Sequence, residues 1–216
     1  NSFYRGSSIN NLFEGYNIFR DKNTSIHAQN QQKASQKFSA SRELIKFKSR
    51  ITFNSEIYNQ FFVTENKLLQ TNEFHTGEYY RLFPIFSMKI ETPYKFYKNF
   101  YDFTYSPSLQ TVISPGMSNT NKISNEDSSN NSFTLDNISS LNRFSGSDKM
   151  DNSKRINYGF NIYNNKLNMN IYQSYEFTNN SNFHYVNGDE ENLSDLIGSL
   201  EFNDSEKSIN TTYSFS

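Results

Sequence analysis

The chain of 216 residues has no cysteine, no tryptophan and only three histidines, and 21 Lys and Arg are set against 22 Asp and Glu for a formal net charge of −1. Each absence closes a class of function. Without cysteine there is neither a disulfide framework nor thiolate chemistry. His27, His75 and His184 are too scattered to suggest a metal site. Without a basic excess, the electrostatic footprint of a nucleic-acid binder is missing. No apolar run approaches the ~20 residues of a membrane-spanning helix. No leader-like segment precedes the opening "NSFYRG", and the closing "NTTYSFS" stops in mid-alternation, so the chain reads as a segment of a longer protein.

What is present is an uncommon pairing. Only 34% of residues are hydrophobic, yet 17% are aromatic, with 21 Phe and 15 Tyr. Disordered chains are polar but poor in aromatics, and soluble globular domains carry more aliphatic residues. Aromatics spread thinly among Asn, Ser and Thr suit strands with one greasy and one wet face.

The order of the residues agrees. In "YDFTYSPSLQTVI" the odd positions are Tyr101, Phe103, Tyr105, Pro107, Leu109, Thr111 and Ile113, and the even positions, Asp102 to Val112, are almost wholly polar. A strand separates these sets onto two faces, whereas a helix scatters them. The cadence recurs with Ile51, Phe53, Ile57, Phe61 and Val63 on one side, then with Leu82, Pro84, Phe86, Met88 and Ile90. It returns with Ile156, Tyr158, Phe160 and Ile162, and with Leu167, Met169 and Ile171. Before residue 50 it is weaker. Connections alternate in length: a short one at 92–99, a very long one at 114–155, a tight turn at 163–166, then a longer one again. That is the rhythm of an antiparallel meander with tight turns at one rim and extended loops at the other.

A soluble sandwich or solenoid and a fibrous adhesin also alternate. A transmembrane barrel does so with strands of about 9–11 residues, a polar interior and aromatic girdles. The cluster Tyr94, Phe96, Tyr97, Phe100 and Tyr101 suits such a girdle and equally an ordinary packed strand end. A sandwich of this size needs a clearer core than the composition provides. The reading is therefore all-β, part of a large antiparallel transmembrane β-barrel. Its polar face, including Asp102, Thr104, Ser106, Ser108, Gln110, Asn157 and Asn161, is expected to line the interior.

No catalytic, cofactor-binding or metal-ligating set emerges. The acids at 125–127 and 188–192 lie in expected loops and fit either a divalent-cation or substrate contact or a solvated acidic loop, the solvated reading being favoured for the second cluster. No Ser sits in a nucleophile-elbow context, and "GSSINN" and "GMSNTNK" lack the phosphate-loop pattern. The expectation is a non-enzyme.

The long connection is more specific. "RLFPIFSMKIETP", "YSPSLQTVISP", "ISNEDS" and "FTLDNISSLNRFSGSDKMDNSKRINYGF" follow one another in an order that resembles the outer-membrane LPS-assembly family LptD, also called OstA. Asn125, Glu126, Asp127 and Ser128 match its N-E-D-S box. Leu141, Asn142, Arg143, Phe144, Gly146 and Asp148 match its second motif, and Arg155, Tyr158 and Gly159, with Asn157, match its third. The match is good over about residues 80–177 and covers the flanks by pattern alone. Lys149 stands where Arg is usual, and Ser139 and Ser140 replace a more apolar pair.

The resemblance implies a segment of a very large barrel with short periplasmic turns and long extracellular loops. The N-terminal jellyroll, the closing strands and the family's cysteines lie outside this segment. It implies lipopolysaccharide as the cargo, an LptE-like lipoprotein plug, a periplasmic bridge protein acting through the jellyroll, and residence in the outer membrane. The lipid would enter the membrane through a lateral opening while the sugar passes through the lumen. In the loop, Arg143 is expected to anchor to Asp127, Asp136 or Asp148, Phe144 to plug, and Gly146 to permit a turn. The same residues also fit a role confined to stabilising the loop. If the motif match is accidental, a general porin, uptake or adhesin barrel is the alternative.

Overall fold

The computed structural model describes residues 6–24, 28–98, 101–117, 119–129, 133–178, 192–204 and 208–215. His27, His184, Phe100 and the acidic residues at 188–191 lie outside them. The elements are β1 (Ser7–Ile18), β2 (Asn30–Lys46), β3 (Ser49–Leu68), β4 (Phe74–Glu91), β5 (Tyr94–Lys98), β6 (Tyr101–Ile113), α1 (Leu135–Ile138), β7 (Lys154–Tyr163), β8 (Leu167–Glu176), β9 (Leu196–Asn203) and β10 (Ser208–Phe215). The ten strands form one antiparallel sheet in the order β1-β2-β3-β4-β6-β7-β8-β9-β10, with β5 paired to β6. Apart from β5, every neighbour in space is the next strand in sequence, which defines a meander.

β5 is the continuation of β4. Glu91 lies opposite Ser108 and Tyr94 opposite Tyr105, so one register runs through both pairings. The Thr92 N–H still donates to the Pro107 carbonyl at 3.1 Å. Only Pro93, which has no N–H, interrupts the ladder. The chain therefore reverses after Lys98, not across the whole of 92–99 as the sequence rhythm suggests. β1 and β2 are also full strands. Their sequence signal is weak because Asn11, Gln32 and Gln36 share the outward face with Ile9, Phe13 and Phe38.

The two faces differ as the alternation requires. Phe53, Phe61, Leu82, Phe86, Phe103, Leu109 and Ile113 all face outward with a third or more of their surface exposed. The opposite face is covered by the connection from β6 to β7, residues 114–153. On that face Tyr58, Phe83, Ile85 and Val112 meet Met150 of the loop in one small buried cluster, with Leu141 packed against it. Val112, placed among polar neighbours by the sequence pattern, is 1% exposed. Full burial of a side chain such as Met150 contributes about 1.5–3 kcal/mol. The apolar residues on the wet face are thus the footprint of the loop.

Candidate functional site

A chain segment without strands or long helices still has to satisfy its backbone polar groups when it is buried. Residues 114–153 do so with side chains from the sheet. The carbonyls of Ile138 and Ser139 accept from Asn157 Nδ2 at 2.7 Å and Gln110 Nε2 at 3.0 Å. Those of Ser140 and Leu141 accept from the Arg155 guanidinium. Further along, the Ser147 carbonyl accepts from Arg81 Nη2 at 2.6 Å and Gln60 Nε2 at 3.0 Å, and the Asp148 carbonyl from Arg81 Nη1 at 2.9 Å. Gln31 pairs its amide with Ser124 as another strand would: the Ser124 N–H donates to Oε1 at 2.7 Å, and Nε2 donates to the Ser124 carbonyl at 2.9 Å.

Two charged assemblies fix the loop at opposite sides of the sheet. In the first, Asp127 and Asp148 cap each other's backbone. The N–H groups of Ser147 and Asp148 donate to Asp127 Oδ1 at 3.0 and 2.8 Å. Those of Glu126 and Asp127 donate to Asp148 Oδ2 at 2.7 and 3.1 Å. Buried Lys33 of β2 joins both carboxylates, at 2.6 Å from Asp127 and 2.8 Å from Asp148, and also donates to Ser147 Oγ. Tyr16 of β1 adds an O–H bond to Asp148 at 2.8 Å. Arg20 holds Glu126 with two bonds of 3.2 and 2.5 Å. Burial pushes the Asp127 carboxyl up, but the Lys33 and Ser128 donors, the Asp148 N–H and the Lys33 charge outweigh it and hold the carboxyl below its ordinary value.

In the second assembly, Arg143 binds Asp151 through Nε at 2.6 Å and Nη2 at 3.2 Å, and Glu176 of β8 at 3.3 Å. Arg155 of β7 binds the same Asp151 at 2.9 Å. All four side chains have no exposed surface. Among the described residues two cations and two anions meet here, and pairing is the condition under which buried charge persists. Glu176 also accepts from Ser153 Oγ at 2.5 Å and the Lys154 N–H at 2.8 Å.

The motif residues converge, with corrections. Arg143 pairs with the carboxylates of Asp151 and Glu176, with Ser153 Oγ at 3.4 Å and the Phe133 ring beside it, while the expected Asp127 and Asp148 serve Lys33. Gly146 does not have a positive φ; it is needed because a Cβ there would overlap the Asp127 backbone and carboxylate. Asn125 clamps its own box, donating to the Ser128 carbonyl at 2.6 Å and accepting the Ser128 N–H at 3.0 Å. Asn142 joins the two assemblies, donating to the Gly146 carbonyl at 3.0 Å and accepting the Asp151 N–H at 3.0 Å. Phe144 is buried at 5% exposure.

Tyr158 stands apart from this set, on the outward face, with its hydroxyl donating to Gln173 at 2.8 Å. Gly159 is on the covered face, where the Tyr172 ring occupies the space a Cβ would take. Of the polar-face residues, Thr104, Ser106, Gln110 and Asn157 are buried, Ser108 and Asn161 are half-buried, and Asp102 near the tight-turn rim is exposed.

Lys33, Arg81, Gln31, Gln60, Asp151 and Glu176 were not among the expected residues. The available signal was modest: cations and amides on the wet faces of strands, facing a loop rich in acids and bare carbonyls.

An antiparallel meander with an apolar outer face, a polar face packed by a long loop, tight turns at one rim and long loops at the other is the architecture of an outer-membrane β-barrel wall. The family model described as LptD, LPS transport system D, matches residues 3–216, and the chain belongs to that family. Its role is accordingly LPS transport, in a family of transport and assembly proteins rather than enzymes. No curated protein matches the chain.

Proposed function

We propose that this sheet is a stretch of the wall of a closed barrel that inserts lipopolysaccharide into the outer leaflet of the outer membrane. In this reading an LptE-like lipoprotein occupies the lumen, and a periplasmic bridge protein delivers the cargo through a jellyroll. Asp102, Thr104, Ser106, Ser108, Gln110, Asn157 and Asn161 face the lumen. The loop 114–153 is the extracellular element that closes over the mouth of the wall.

One observation carries this reading. The motif residues of the loop are committed to charged anchors on both sides of the sheet, at Lys33 on one side and at Arg155 with Glu176 on the other. A loop held at both ends across a polar face is a lid, not a tether. Its residues act by holding the lid in place and need not touch the cargo.

The test is depletion of the full-length protein in its own cell, followed by rescue with Arg143→Ala. Newly made LPS should fail to reach the surface on depletion, and the variant should restore export while leaving the outer membrane leaky to detergent. Unchanged surface LPS with reduced solute uptake or adhesion would replace this reading with a general porin, uptake or adhesin barrel.

A further inference from the structure

The tight-turn rim carries a feature that the loop does not explain. β2 and β3 are joined by two residues, Phe47 and Lys48, with Lys46 opposite Ser49. Both turn residues have positive φ, 53° and 63°. A two-residue hairpin turn of this kind favours Asn-Gly, and a bulky side chain in the left-handed region is disfavoured. Nothing inside the fold compensates. Phe47 is 86% exposed and outward-facing Leu44 40% exposed, and Lys46 lies over the Phe47 ring at 5.2 Å. Strained turns that persist without internal packing point to a task outside the fold.

Charge is concentrated at the same point. The stretch "RELIKFKSR", residues 42–50, holds four cations and one acid, a net +3, so the remainder of a chain of net −1 carries −4. The Arg50–Glu43 contact at 3.5 Å is largely solvent-exposed and leaves the other charges of the tip in place. The neighbouring tight-turn tip repeats the chemistry, with Tyr94 and Phe96 exposed beside exposed Lys95. Exposed rings and lysines at one rim of a membrane barrel match the headgroup layer, where rings sit at the interface and cations meet phosphate.

We propose that the β2–β3 tip is an interfacial anchor for anionic phospholipid headgroups in the leaflet at the tight-turn rim. Phe47 enters the boundary between headgroups and chains beside Leu44, which lies on the outward face opposite Ile51, and Lys46 and Lys48 hold the phosphates. This rests on the barrel reading above. Each cation held at such a surface strengthens association about fivefold, so the tip should enrich anionic lipid around itself.

The experiment uses the full-length protein carrying Phe47→Trp, with the parent protein's signal subtracted. It is placed in vesicles of equal parts phosphatidylglycerol and phosphatidylethanolamine, with bromine on the acyl chains of one lipid or the other. Leu82→Trp, in the outward apolar band, is the control. Stronger quenching by brominated phosphatidylglycerol, lost in the added Lys46→Gln/Lys48→Gln variant while the control stays quenched, is the expected result. Equal quenching by the two lipids would overturn the headgroup preference. A tip unquenched by either, with the control quenched, would overturn the anchor and leave a protein partner as the occupant. An unquenched control would overturn the barrel reading itself.

Discussion

Arg143 is the residue on which most depends. It binds two buried carboxylates at once, so removing it takes a cation from Glu176 and a two-pronged contact from Asp151. Arg143→Ala should destabilise the protein by about 3–5 kcal/mol, the cost of breaking a buried pair from one side. Arg143→Lys should recover little, because a single ammonium cannot reproduce the two-pronged contact with Asp151. Thermal unfolding in detergent separates these outcomes: a wild-type melting temperature for either variant would contradict the role. Gly146→Ala makes a different claim. Its backbone is not left-handed, so any penalty comes from overlap with Asp127, at about 1–3 kcal/mol. The motif residues were legible in the sequence, but their partners were not. Alternation tells which face a residue takes, not how deep along the strand it sits or what lies above it. Hence Arg143 was recognised and Asp151, eight positions on, was not.

The alternating strands β3, β4 and β6 to β10 were legible because greasy and polar residues separate there. β2 was obscured because Gln32 and Gln36 fall on its outward face, and β5 because a proline resembles an end. The loop was legible as organised, yet its fold was not, since besides its internal bonds it relies on side chains from seven strands, β1 to β4 and β6 to β8. Its stability should depend on pH. The Asp127 carboxyl is held below its ordinary value in the folded loop. Its contribution is therefore complete above the unfolded value of about 4 and lost as pH falls through the lower folded value. Limited proteolysis within 114–153 should rise below about pH 4 and stay flat from there to neutrality. Asp127→Asn should remove that dependence and give a loop cleaved more readily at neutral pH.

Across the whole molecule the loop braces strands that do not touch one another. One assembly binds β1 to β4 through Tyr16, Lys33, Gln60 and Arg81, and the other binds β7 and β8 through Arg155 and Glu176. Within the loop, Asn142 reaches both, touching Gly146 on one side and Asp151 on the other. Residues that share such a joint are expected to couple by about 0.5–3 kcal/mol, whereas separated sites add. Lys33→Met and Arg143→Ala should therefore be non-additive, each already loosening the loop that the other would release. In an Asn142→Ala background the same two substitutions should become additive, because each assembly then fails by itself. Hydrogen exchange gives the local view of the same cycle. With Asn142 present, Lys33→Met should expose amides at both 124–128 and 151–154. With Asn142→Ala, the exposure should stop at the first segment. Additivity in the unaltered background would mean that the lid is two independent clasps, and that the wall can open on one side while staying closed on the other.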